Sequence, residues 1–292
     1  NSFFILERFY MIVITGATGQ LGRLVIASLL KTIPASNIVA AVRNVEKAKE
    51  LTDLGVHVRY ADYNQPASWD SALAGASKVL LISSSEVGQR FAQHKTVIDA
   101  AKIANVKLFA YTSLLHADTS PLALAAEHVA TEQYLANANL PFVLLRHGWY
   151  TENYTVALGA SIAHGALYGC ASDGKIASAS RADYAQADAT VLTSENQAGK
   201  VYELAGDYAY TLTELAAEVS QQTGKPINYI NLAEQEYQAV LVNVGLPEAF
   251  AQLIADSDTG ASKGALYDNS QQLSQLIGRA TTPLKESVAA AI

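Results

Sequence analysis

The run Thr15-Gly16-Ala17-Thr18-Gly19-Gln20-Leu21-Gly22 carries three glycines at the spacing that binding a pyrophosphate requires. Gly16 permits a sharp turn, Gly19 lets backbone N–H groups approach the phosphates, and Gly22 lets a following helix pack close to a sheet. The phosphates then meet the positive end of that helix. About twenty residues past the last glycine stands Ala41-Val42-Arg43-Asn44. A protein that prefers NADH places a carboxylate there to hold both ribose hydroxyls. Arg43 can instead pair with a 2′-phosphate, the alternative being a solvent-exposed arginine at a strand end, so the coenzyme expected is NADPH. Asp62 suits either a contact to the adenine amine or a turn cap. Ser83 and Ser84 follow an apolar run and suit either the ribose and nicotinamide side of the coenzyme or a simple turn.

Such residues need rigid elements behind them. Six short apolar runs, Ile12–Thr15, Ile38–Val42, Val56–Tyr60, Val79–Ile82, Leu108–Thr112 and Phe142–Leu145, alternate with helix-length segments. Their apolar residues are nearly continuous, as strands covered on both faces demand. The fold class expected is α/β, a doubly wound parallel sheet of Rossmann type. Helices are expected at Gln20–Lys31, Glu46–Leu54, Gln89–Ala104 and Ala123–Ala138. After Arg146 the rhythm breaks down. Thr211 reads as an N-cap ahead of Leu212, Leu215, Ala216 and Val219, with Gly224 as the stop, and Glu234–Val244 and Pro247–Ala255 read as further helices. The division expected is a nucleotide-binding core over 11–146 and a smaller, mainly helical substrate-side lobe over 147–292 that partly returns to the core. Asn1–Tyr10 lacks the pattern of a signal peptide, and Met11 opens a strand directly. That stretch reads as an added or mis-assigned extension, a natural arm being the alternative.

Composition narrows the function. The formal charge is −7 with no basic cluster, which disfavours nucleic acid as a partner. No uncharged apolar stretch approaches the roughly 20 residues of a membrane span. The single cysteine, Cys170, and histidines without metal-ligand spacing fit a reducing cytoplasm and no structural metal.

Three longer runs carry a resemblance. They are Leu81-Ile82-Ser83-Ser84-Ser85-Glu86-Val87-Gly88-Gln89-Arg90, Tyr111-Thr112-Ser113-Leu114-Leu115-His116-Ala117-Asp118 and Arg146-His147-Gly148-Trp149-Tyr150-Thr151-Glu152-Asn153-Tyr154. With the glycine loop and Val42-Arg43-Asn44, they resemble bacterial NADPH:quinone oxidoreductases of the NmrA-like, atypical short-chain dehydrogenase group. Triphenylmethane reductases look like more distant relatives. The resemblance implies hydride transfer from NADPH to a quinone without a flavin, and a nicotinamide bordered by residues from Gly148 to Tyr154. His147 departs from the pattern, which has Asn there.

Ordinary short-chain dehydrogenases protonate an alkoxide with a Tyr supported by a Lys four residues later. The segment Ala126-Glu127-His128-Val129-Ala130-Thr131-Glu132-Gln133-Tyr134 offers no such lysine. A quinone needs less, because hydride addition leaves a delocalised phenolate-like anion, and positioning and electrostatics supply most of the catalysis. Trp149, Tyr150 and Tyr154 suit either a wall for a planar acceptor or lobe packing. Asn153 or Lys175 could bond the acceptor oxygen, and Ser113 could hydrogen-bond the substrate; Lys175 suits a solvated loop equally well. His128 suits a structural role better than that of an acid. The alternative to a quinone reductase is an NADP(H)-binding redox sensor acting through a partner protein, a role known among NmrA-like proteins. An alcohol or sugar-nucleotide dehydrogenase is disfavoured by the absent Tyr/Lys pair.

Overall fold

The computed structural model describes residues 11–292. The expectation for Asn1–Tyr10 therefore lies outside the described residues. Nine strands are present among them: β1 (Met11–Ile14), β2 (Ile38–Val42), β3 (His57–Tyr60), β4 (Ala76–Leu81), β5 (Leu108–Leu114), β6 (Phe142–His147), β7 (Ala166–Gly169), β8 (Val201–Leu204) and β9 (Asn228–Asn231). Seven form a parallel sheet in the order β3-β2-β1-β4-β5-β6-β8, and β7 pairs with β9 in a second, two-stranded sheet. All six anticipated strands are in the large sheet. The seventh, β8, was not anticipated.

Every residue of β2 is buried, and β1 is buried from Ile12 onward, as a sheet flanked by helices requires. Val13 is in register with Val39 of β2 and Val79 of β4, so β1 has parallel neighbours on both sides. The chain leaves β1 for β2 and β3 and then returns to β4 on the other side. This reversal opens a crevice at the carboxyl ends of β1 and β4, where doubly wound sheets bind ligands.

Helices occupy Gln20–Leu29, Arg90–Ile103 and Ala125–Ala136, close to the expected bounds. The segment expected as one helix over Glu46–Leu54 is a 3₁₀ turn, Glu46–Ala48, followed by a short helix, Lys49–Asp53. Leu212–Thr223 begins in a capping box: Thr211 Oγ1 accepts from Glu214 N at 3.1 Å, and Glu214 Oε2 accepts from Thr211 N at 2.7 Å. Gly224, at φ +68°, ends it as foreseen. The helix expected at Pro247–Ala255 runs instead over Glu248–Ser262.

Two compact units emerge. The first holds residues 11–112, 130–144 and 188–200, the second 113–129, 145–187 and 201–292. The core of the first gathers Val13, Val39, Trp69, Val79 and Phe109, and that of the second Leu114, Trp149, Leu158, Leu167 and Leu215. Among the described residues no helix is long and apolar enough to cross a membrane, and no cluster of three or more His, Cys, Asp or Glu could hold a metal ion.

Candidate functional site

In the first unit β1 delivers the chain to the glycine loop. Gly16 turns it at φ +58°, a left-handed conformation that glycine adopts without strain. Gly19 N then donates to Gly16 O at 2.9 Å, closing the turn. Gly16, Gly19 and Gln20 face outward, Thr18 is half-buried, and Ala17, Leu21 and Gly22 are buried. A Cβ on Gly22 would run into the Gly16 carbonyl oxygen and lie 2.8 Å from Ala17 Cα. Only glycine lets the helix seat this closely against the loop. Helix Gln20–Leu29 has no side-chain cap and no acidic residue in its first turn. Its leading N–H groups thus meet no side-chain acceptor, the arrangement that suits a phosphate. Arg23 braces the loop from behind, with Nε donating to Thr18 O at 2.9 Å and an ion pair to Glu50. The outward-facing backbone of Gly16 and Gly19 at this uncapped helix end fits the pyrophosphate of NADPH.

Arg43 follows β2, is exposed, and pairs with Glu86 at 3.2 Å. Asp62 takes a turn role in this structure, its Oδ1 accepting from Asn64 N at 2.9 Å. Beyond the end of β4, Ile82 N donates to Thr15 Oγ1 at 3.0 Å and Ser83 N to Thr112 Oγ1 at 2.8 Å. Thr15, just past β1, and Thr112 of β5 thus satisfy the backbone where the ladder stops, leaving the half-buried Ser83 at the crevice. Ser84 is buried instead. Its hydroxyl bonds Gln93, its carbonyl accepts from Arg90 Nε at 2.6 Å, and its N–H donates to His94 Nε2 at 2.9 Å.

A backbone N–H can only donate, so His94 Nε2 must be the unprotonated nitrogen. Nδ1 then donates to Thr131 Oγ1 at 2.9 Å. Burial, reinforced by the Arg90 charge, pushes the His94 pKa down to about 3. In the unfolded chain the imidazole binds its proton near pH 6.5. Between these values the unfolded state holds the extra proton, so stability is complete above about pH 6.5 and is lost progressively as pH falls toward 3. Urea midpoints are expected to drop between about pH 6.5 and 5, and His94→Gln should flatten that part of the profile. An unchanged slope in the variant would remove His94 as the cause.

In the second unit the segment after β6 is drawn in tightly. Gly148 N donates to Leu204 O at 2.7 Å, and a Cβ at Gly148 would come within 3.0 Å of both Leu204 O and Tyr184 Oη. His147 is buried and stacks on Tyr184, with ring centroids 4.6 Å apart. Tyr150, half-buried, meets Tyr184 edge-on, and its hydroxyl is 3.4 Å from His147 Nδ1. The Arg181 guanidinium lies over the Tyr150 ring at 4.6 Å and donates to Asn153 Oδ1 at 3.1 Å. His147, Tyr150 and Asn153 thus form one group, organised by two residues that sequence reasoning missed, Tyr184 and Arg181. The only earlier trace of either was a tyrosine and an arginine in an alanine-rich stretch.

Other candidates fall elsewhere. Trp149 and Tyr154 are buried in the core of the second unit. Tyr154 Oη donates to Asp258 at 2.8 Å, whose carboxyl burial raises to about 6. The Trp149 indole N–H is buried with no partner among the described residues. Ser113 is buried on β5, and His128 is buried on helix Ala125–Ala136. Lys175 pairs with Glu214 at 3.1 Å and lines an open cleft of about 650 Å³ with Asp173, Asp207, Tyr208, Tyr267 and Asp268. Cys170 is buried, its thiol donating to Ala255 O, and burial lifts its pKa to about 11. Helix Ala125–Ala136 contains no lysine, and its one tyrosine, Tyr134, is engaged by Asp99 at 2.5 Å.

Known proteins resemble this chain along nearly its whole length. The quinone oxidoreductase 2 of Escherichia coli is 60% identical over 278 residues, spanning 95% of this chain and 97% of that protein. The crystal structure of an E. coli NADPH-dependent quinone oxidoreductase complexed with NADPH superposes with a TM-score of 0.94 at 59% identity, covering 96% of this chain and 99% of the other. The triphenylmethane reductase of Citrobacter sp. complexed with NADP(H) matches at 0.93 and 44% identity, over 96% of this chain and 100% of that one. A model of the NmrA-like family matches residues 10–288, and the chain belongs to that family.

Proposed function

We propose that this protein is an NADPH-dependent quinone oxidoreductase. The observation that carries the reading is an uncapped glycine cradle on a sheet whose following helix offers no lysine and a tyrosine already bonded to Asp99. The first part suits a dinucleotide, and the second removes the acid of ordinary carbonyl reduction. Similarity to the E. coli quinone oxidoreductase supports the same acceptor class.

NADPH, when bound, supplies a hydride that passes directly to the quinone without a flavin. Gly16 to Gly22 hold the pyrophosphate, Arg43 the 2′-phosphate, Asp62 the adenine side, and Ser83 and Ser84 the loop beside the ribose. His147 and Gly148 would border the nicotinamide, and Trp149, packed in the core of the second unit, would hold that segment in place. Tyr150 and Asn153 would contact the acceptor. The Tyr150 hydroxyl is suited to hand a proton to the reduced oxygen, since His147 and Arg181 fix its ring in place. Lys175, engaged by Glu214, has no part in this scheme.

The test is NADPH oxidation with and without a simple benzoquinone, by protein shown spectroscopically to carry no flavin. Turnover should require both ligands together, since no reduced enzyme intermediate forms, and NADPH deuterated on the transferred face should slow a single turnover. Tyr150→Phe should lower kcat by about ten- to hundredfold while leaving the coenzyme Kd unchanged. Tight NADPH binding with no quinone reduction would overturn the enzymatic reading in favour of a redox sensor.

A further inference from the structure

Among the described residues Arg43 has one partner, an anion that the reaction does not need. Glu86 Oε1 lies 3.2 Å from Arg43 Nη1, while Oε2 accepts from Gln93 Nε2 at 2.8 Å. Gln93 is only 3% exposed and is bonded in turn to Ser84 Oγ, which also accepts from Glu86 N at 3.2 Å. The carboxylate is therefore anchored on buried groups. Arg43, with a side chain 60% exposed, is the partner able to move. Arg43 stands just past β2 and Glu86 a short way past β4, the two strands that flank β1, so the pair sits at the carboxyl ends of these strands.

We propose that Glu86 is a specificity-determining residue that weakens the hold on the 2′-phosphate and so speeds departure of spent NADP⁺. The proposal rests on the reading that Arg43 receives that phosphate. A phosphate dianion arriving at Arg43 must compete with a carboxylate tethered by the buried Gln93, and the two anions repel. NADPH and NADP⁺ both carry the phosphate and both feel the opposition. NADH feels almost none. When the coenzyme leaves, Glu86 recaptures the guanidinium, so Arg43 does not have to be released into water alone. An enzyme that must discharge NADP⁺ at every turnover gains speed from this, because product release limits many such cycles.

Glu86→Gln removes the charge and keeps an oxygen for Gln93. Dissociation constants for NADPH, NADP⁺ and NADH are to be measured at fixed salt in the parent, Glu86→Gln, Glu86→Ala, Arg43→Ala and the Arg43→Ala/Glu86→Gln double variant. Both Glu86 variants should tighten NADPH and NADP⁺ by about three- to tenfold, the size of a charge effect near the surface, with NADH changed less than about twofold. In the Arg43→Ala background the gain should shrink, because only the relief of anion–anion repulsion remains and no competition for the guanidinium is left to remove. Unchanged or weaker NADPH binding in both Glu86 variants, or equal tightening of NADH, overturns the proposal. Equal losses of both coenzymes in Arg43→Ala would instead sink the underlying assignment, so the two failures are distinguishable.

Discussion

Gly22→Ala is expected to weaken NADPH binding on the order of a hundredfold, from the addition of one methyl group on the buried side of the loop. The new Cβ would be driven into the Gly16 carbonyl oxygen and would lie 2.8 Å from Ala17 Cα and 3.1 Å from Ala17 C. All three are backbone atoms. No side chain can rotate away, so the loop itself must move, and with it the N–H groups that face the phosphates. Overpacking of this kind costs about 1 to 3 kcal/mol, and the upper end corresponds to the stated loss. Gly159→Ala is the control, because a Cβ there meets nothing within 4 Å. Circular dichroism and fluorescence titration on the same samples should show two folded proteins, of which only Gly159→Ala binds like the parent. Parent-like affinity in Gly22→Ala would disprove the tight seat of helix on loop.

Arg43→Ala should cost NADPH about 1.5 to 3 kcal/mol, roughly ten- to a hundredfold in Kd, and leave NADH nearly untouched. Only NADPH carries the phosphate that the guanidinium would meet with a charged, forked hydrogen bond. The fold should not suffer, since the side chain is 60% exposed and its ion pair with Glu86 is a surface contact of small net worth. Arg43→Lys should retain part of the preference, having the charge without the fork. Equal losses for the two coenzymes, measured by titration at fixed salt, would detach Arg43 from the phosphate.

What the sequence made legible follows from how local each signal is. β2 could be read to the residue, because five consecutive apolar side chains are all buried. The glycine loop was equally plain, since turn, approach and packing fall within eight residues of chain. β8 was hidden: only Leu204 of its Val-Tyr-Glu-Leu is buried, and Val201 is exposed, so neither a buried run nor a clean alternation shows. Helix Arg181–Thr193 buries Asp183 and Asp188 together with Tyr184 and Ala187, a polar and apolar mixture that carries no stripe. The site repeats the lesson. Arg181 reaches Tyr150 and Asn153 across about thirty residues, and His94 reaches Thr131 across 37, contacts that exist only once the chain has folded.

The lone cysteine bears on survival in the company of the proposed substrate. Quinones are electrophiles as well as oxidants, and thiolates add to their rings to give stable aryl thioethers. An enzyme that draws quinones into its vicinity at every cycle therefore risks being arylated by them. Here the hazard is nearly absent: one thiol in the whole chain, buried, and kept protonated by a pKa lifted to about 11. Reactivity at sulfur needs both the anion and access to it, and Cys170 offers little of either. The chain is built as a poor target for its own reactant.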